Sequence, residues 1–211
     1  MLKKIISIAF FASFITGCSS SGYIPVVSLT TPIGSVTLGG SGSSGSSHKN
    51  GFDINNACDI YKKNPSWKRH VKNSEKRWGV PEHVILAIIK QESGFRKDAR
   101  PLNKYGKPIS SAYSYSQALK GTWKNYQRST GNFKHKRDSF GDAVNFMGWY
   151  MHQTTKTTGV SKWDITNQYL AYHEGAGGYK KRTYRKKPWL VKIAKRLKDD
   201  AWKYKKQLDR C

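Results

Sequence analysis

A single carboxyl at the end of an apolar run is the first feature of this chain that could do chemistry. From Val84 to Ile89 every side chain is apolar, and Lys90-Gln91-Glu92 follows. A run this uniform predicts a short helix buried on nearly all sides. Pro81 suits its first helical position and Gly94 the residue just past its end. Glu92 would then stand at the helix C-terminus against apolar mass. Desolvation and the partial negative charge of a helix C-terminus both disfavour a carboxylate there. An acid that keeps its proton near neutral pH can serve as a general acid. The alternative is a glutamate that ends the helix with its side chain in water.

A second carboxyl, Glu174, follows His173 and precedes Gly175-Ala176-Gly177-Gly178. If it lay about 6.5–9.5 Å across a cleft from Glu92, an inverting hydrolase with an activated water would be possible. His173-Glu174 is also half of a zinc-binding pattern, but Gly177 stands where the second ligand belongs. No metal site and no cofactor are expected.

Three stretches, in order, resemble one family. Gln91-Glu92-Ser93-Gly94-Phe95 resembles the catalytic-glutamate motif of lytic transglycosylases with the goose-type lysozyme fold. Tyr113-Ser114-Tyr115-Ser116-Gln117-Ala118 stands where that family has Gly-Leu-Met-Gln; Gln117 matches, while Ser114 and Ser116 replace glycine and methionine. Ala171-Tyr172-His173-Glu174-Gly175 is similar to Ala-Tyr-Asn-x-Gly, with His173 in place of the asparagine.

The resemblance implies cleavage of the β-1,4 bond between N-acetylmuramic acid and N-acetylglucosamine in peptidoglycan. Glu92 would protonate the leaving oxygen, then as a carboxylate take a proton from the muramoyl C6 hydroxyl. That hydroxyl closes onto C1 as a 1,6-anhydro end, with no water and no second carboxylate. Tyr172 would hydrogen-bond near Glu92 or the acetamido group, and Ser93, Ser116, Gln117 and Glu174 would line the substrate groove. A lysozyme-type muramidase on the same fold is the alternative among enzymes. A non-catalytic peptidoglycan-binding lipoprotein is the alternative outside them, favoured by the altered second motif.

The elements that must position these groups are mainly helical. Helices are expected over 65–77, the stretch ending near Glu92, 117–128, a segment capped by Asp138, 162–172 and 188–208. Gln117 could simply begin its helix. Any β structure should be small and confined to 96–115. The expected fold class is mainly α (α+β, lysozyme-like), a single helical domain behind a disordered tether. Tyr113, Tyr115, Tyr179 and Tyr184 fall in loop-like stretches and could stack on sugar rings. Trp67, Trp78, Trp149 and Trp189 fall on helices and are assigned to the core.

The chain ends differ from its middle. Lys3 and Lys4 precede an apolar run, Ile5–Ile15, too short to span a bilayer, so 1–17 reads as an export signal. Ile15-Thr16-Gly17-Cys18 resembles a bacterial lipobox, which implies a lipid on Cys18; Ser19 after it implies the inner leaflet of the outer membrane. Ordinary secretion with Cys18 inside the removed peptide is the alternative. Residues 18–51, rich in Ser, Gly and Thr, read as a flexible tether spanning roughly 30 Å. Residues 52–211 would form the folded domain. Cys58 and Cys211 remain as an even pair in an oxidising compartment, and a disulfide between them is expected; two free thiols are the alternative.

The formal charge is +25. Such an excess suits an anionic partner. Export argues against nucleic acid and for peptidoglycan carboxylates, the phosphates of envelope polymers and the membrane that holds the lipid. A periplasmic, lipid-anchored monomer is the expectation. The basic run Lys180–Lys187 is either a contact for such anions or a solvated loop.

Overall fold

The computed structural model describes residues 51–211. The expected signal, Cys18 and all but the last residue of the tether lie outside them. Seven α-helices follow in order: α1 (Ala57–Lys63), α2 (Pro65–Trp78), α3 (Glu82–Ser93), α4 (Lys120–Thr130), α5 (Phe140–Thr158), α6 (Ile165–Lys180) and α7 (Pro188–Leu208), with a 3-10 turn at Thr183–Lys186 before α7. The mainly α expectation holds. Two isolated antiparallel bridges, Leu102 with Pro108 and Tyr113 with Ala118, are the β structure among the described residues.

Helix α3 is the centre of the bundle. Val84 to Ile89 are all buried, which is why the run carries no polar face. It packs against α7 on one side and touches α2 and α5 on others; α2 and α6 both lie along α5. Pro81 is the N-cap residue and not the first helical one: its ψ of 142° is extended, and the helix starts at Glu82. At the far end Gly94 (φ 57°, ψ 36°) takes the left-handed conformation expected of it, and its N–H bonds the Lys90 carbonyl.

Phe95 follows with a φ of 61°, unusual for an aromatic residue. Its ring explains the tolerance. It is buried and stacks on Trp67 at 6.0 Å, while Trp67 stacks on Phe140 at 3.8 Å and meets Tyr115 edge-on at 5.7 Å. This cluster pins the chain just past Glu92.

Other boundaries shift for local reasons. Ser139, not Asp138, is the N-cap residue of α5. Helix α4 begins at Lys120, so Gln117 precedes it and does not start it. Helix α6 begins at Ile165 behind the N-cap Asp164 and continues to Lys180, past the expected end at 172. Gly175 does break the regular backbone (φ 71°, ψ 159°), but the chain resumes helical form after the kink. Helix α1 carries no strong periodic signal and was not expected.

The ends of the domain meet. A disulfide joins Cys58 to Cys211, with Cα atoms 5.9 Å apart. Gln207 of α7 accepts from the Ala57 N–H at 2.8 Å and donates to the Asn55 carbonyl at 3.0 Å. Of the tryptophans assigned to the core, Trp149 is buried and Trp67 and Trp78 pack on the core. Trp189 is 44% exposed and belongs to the surface. It stands at the second residue of α7, where its ring meets that of His173 edge-on.

Candidate active site

Glu82 and Glu92 open and nearly close α3, and both are buried. Glu82 sits at the positive end of the helix dipole. The Lys72 ammonium lies 2.6 Å from it and the Tyr61 hydroxyl donates to it at 2.7 Å. That set holds a carboxylate in place and gives it nothing else to do. Glu92, 7% exposed, stands at the negative end among aromatic neighbours.

Two of those neighbours come from α6. Tyr169 is fully buried, and burial, the nearby Glu92 charge and a hydrogen bond to Glu92 together raise its phenol well above its ordinary pKa. Tyr172, one helical turn on, is also fully buried; burial first and Glu92 second raise its phenol likewise. The Tyr172 hydroxyl donates to the Ser116 carbonyl at 2.6 Å, and its ring packs edge-on against Tyr150 at 5.2 Å. The three stretches singled out in the sequence therefore converge: Glu92 from α3, Ser116 from the loop before α4, Tyr172 from α6.

The loop carrying Ser116 is braced from within. Gln117 has a φ of 48°, and its side-chain amide donates to the carbonyls of Ser114 at 2.7 Å and Ala99 at 3.0 Å. Ser114, with a φ of 65°, and Ser116 are both fully buried, and their hydroxyls have no hydrogen-bond partner among the described residues. Ser93 is buried and donates to the Ile89 carbonyl one turn back in α3, at 3.2 Å. Gln117 and Ser93 thus hold backbone in this structure.

The candidate stacking residues divide. Tyr115 is buried in the aromatic cluster below the site. Tyr113 is half-buried between two guanidinium groups, Arg100 at 4.2 Å and Arg137 at 5.3 Å from its ring centre. Tyr179 and Tyr184 stack on each other at 5.5 Å on the segment after the α6 kink.

Glu174 is engaged on the far side of that kink. One carboxylate oxygen meets the Lys187 ammonium at 2.6 Å and the His173 ring at 2.9 Å, and the other accepts from the Thr183 hydroxyl. Burial alone would raise its pKa, but the hydrogen bonds from Lys187, Thr183 and His173 outweigh that and lower it. Glu174 clamps the 3-10 segment and α7 to α6. Among the described residues no group of three or more His, Cys, Asp or Glu could hold a metal ion.

The family model for the Transglycosylase SLT domain matches residues 6–211. The chain belongs to this family. No curated protein matches it. Membership makes the chain a lytic-transglycosylase-type protein of peptidoglycan, in line with the three resembling stretches. Within this SLT domain Tyr169 is the neighbour of Glu92 that sequence reading missed. Its one available signal is the spacing of three residues from Tyr172, which places both on one face of α6.

Proposed function

We propose that this SLT-domain protein cleaves the MurNAc-β-1,4-GlcNAc bond of peptidoglycan and leaves a 1,6-anhydroMurNAc end. Glu92 acts first as general acid on the leaving glycosidic oxygen, and its apolar surroundings and position at a helix C-terminus favour the neutral form needed for that step. As the C1–O bond breaks, positive charge develops on C1 and the ring oxygen. The 2-acetamido group supports that centre. Glu92, now a carboxylate, accepts the proton of the muramoyl C6 hydroxyl while that oxygen bonds to C1. Glu92 thereby returns to its starting state. Tyr169 orients its carboxyl, and Tyr172 holds the Ser116 loop against it. Ser93, Ser116 and Gln117 shape the groove wall.

The observation that carries this reading is the pairing of one buried, tyrosine-flanked acid with a second carboxyl already engaged elsewhere. Glu174 is held by Lys187, Thr183 and His173. An acid so held is a poor base for water, so an internal nucleophile suits this site better than an inverting hydrolase. The same engagement gives Glu174 a supporting role behind the groove.

We further infer the protein's address. Residues 1–17 direct export, Cys18 carries lipid in the inner leaflet of the outer membrane, and residues 18–51 let the folded domain reach the wall from there. The test is digestion of purified sacculi by the full mature chain and by Glu92→Gln, with the released sugar ends identified by mass spectrometry. Anhydro ends from the parent and none from the variant are expected. Reducing ends would replace the proposal with a muramidase, and no release by either protein would leave a wall-binding lipoprotein.

A further inference from the structure

A second surface lies at the opposite end of α3. An open groove of about 560 Å³ is walled by His83 of α3, the segment from Ser161 into α6, and Lys198 and Trp202 of α7. Glu92 lies nine positions after His83, about 14 Å along a helix axis. The groove is therefore separate from the acid site, though both draw on α3 and α6.

Its aromatic residues are unusually bare. Trp163 is 67% and Trp202 is 52% exposed, whereas large aromatic side chains are mostly hidden in a folded domain. The His83 ring bridges them, with its centre 5.9 Å from Trp163 and 6.3 Å from Trp202. The three rings thus form one contiguous cluster along the wall, tilted against each other by 50° and 31° at His83. Three acids near it are already engaged. Asp164 caps α6 and bonds the Asn167 side chain at 2.7 Å, Asp209 pairs with Lys205 at 3.0 Å, and Glu82 pairs with Lys72 at 2.6 Å. Lys198 stands exposed on the wall with no ion pair among the described residues.

We propose that this groove is a second glycan-binding site, which holds an uncleaved stretch of peptidoglycan strand on Trp163 and Trp202 with Lys198 toward its carboxylates. The axial C–H groups of a pyranose ring carry partial positive charge and fit the negative face of an indole. A concave wall of rings with a cation at its edge suits a chain of sugars bearing carboxylates. Indoles that enter a lipid interface would be expected to project from the surface, and here they flank a hollow. The proposal rests on peptidoglycan being the substrate. It gives the domain a hold on the polymer that survives each cleavage at Glu92.

The test measures binding apart from cleavage. Co-sedimentation with purified sacculi is measured for the mature chain bearing Glu92→Gln, with and without Trp163→Ala plus Trp202→Ala, and separately with Lys198→Glu. The double tryptophan change should weaken sedimentation about tenfold and Lys198→Glu about threefold, with melting temperature unchanged because all three side chains are exposed. In the otherwise native chain, the tryptophan changes should lower release from sacculi while leaving cleavage of short soluble muropeptide oligomers within twofold. Unchanged sedimentation overturns the proposal. So does an equal loss on soluble and insoluble substrates, which would place the rings in the catalytic groove. Loss of binding to vesicles of phosphatidylglycerol and phosphatidylethanolamine, with sacculus binding intact, would assign the rings to a membrane. If the native chain releases nothing, the cleavage reading fails while the sedimentation still reports on the groove.

Discussion

The Tyr172 hydroxyl donates to the Ser116 carbonyl at 2.6 Å, with both residues fully buried. This bond fastens α6 to the loop before α4 beside Glu92. It also directs the phenol proton away from the acid, so the groups left to orient the Glu92 carboxyl include Tyr169. The two tyrosines divide the work: one fixes the wall, the other touches the acid.

Tyr172→Phe removes a buried donor and leaves the Ser116 carbonyl without it, at a cost of about 1–3 kcal/mol. A lower melting temperature and slower muropeptide release are expected together. Tyr169→Phe, by contrast, should slow release at least tenfold with a smaller change in melting temperature. Equal effects of the two changes on rate and stability would contradict this division.

The pH–rate profile should keep its alkaline limb in both phenylalanine variants. Both phenols are held well above their ordinary values by burial and by the Glu92 charge, so neither ionises in the assay range. A limb that disappears with Tyr169→Phe would show that this phenol, and not the acid, titrates there.

Glu174 makes a prediction about stability. Its pKa is lower in the folded protein than in an unfolded chain, so its contribution is fully present above the unfolded value, about 4.3, and is lost as pH falls through the lower folded value. Glu174→Gln should therefore lower stability at neutral pH, by about 1–3 kcal/mol, and flatten the acid side of the stability–pH curve. Thermal melts between neutral and acidic pH compare the two proteins. A parallel pair of curves would show that the Glu174 carboxylate does not clamp α6 to α7.

Reducing the Cys58–Cys211 bond opens a loop with a sequence separation of 153 residues. The chain-entropy model assigns about 5 kcal/mol to such a closure. Cys211→Ser should lower the denaturation midpoint strongly without altering the sugar ends released, because the bond lies at the junction of α1 and the end of α7. Unchanged stability would mean that noncovalent contacts, the hydrogen bonds of Gln207 and of Tyr204 to the Ile54 carbonyl among them, hold the ends together.

Gly148 marks where α5 crosses α2. A Cβ there would stand 2.6 Å from the Trp78 ring and overlap the Ser74 hydroxyl. Gly148→Ala should cost about 1–3 kcal/mol through overpacking, read as a lower melting temperature. A neutral result would show that Trp78 can shift on its partly exposed side.

Much of this protein was legible in one dimension. A six-residue apolar run without a wet face could only be a buried element, and Glu92 at its end followed from spacing. Helix α7 was legible from its apolar stripe, and the Cys58–Cys211 pairing from the count of cysteines left in an oxidising compartment. Tyr169 was not legible, because a tyrosine on an apolar helix face reads as core until the group opposite its hydroxyl is known. Nor was the role of Gln117, whose side chain bonds the carbonyls of Ser114 and Ala99, or that of Glu174, whose partners Thr183 and Lys187 arrive after the Gly175 kink. Periodicity and composition record what each segment needs to bury. Which polar atom meets which is decided only when separate segments are brought within the few ångströms over which hydrogen bonds and charges act.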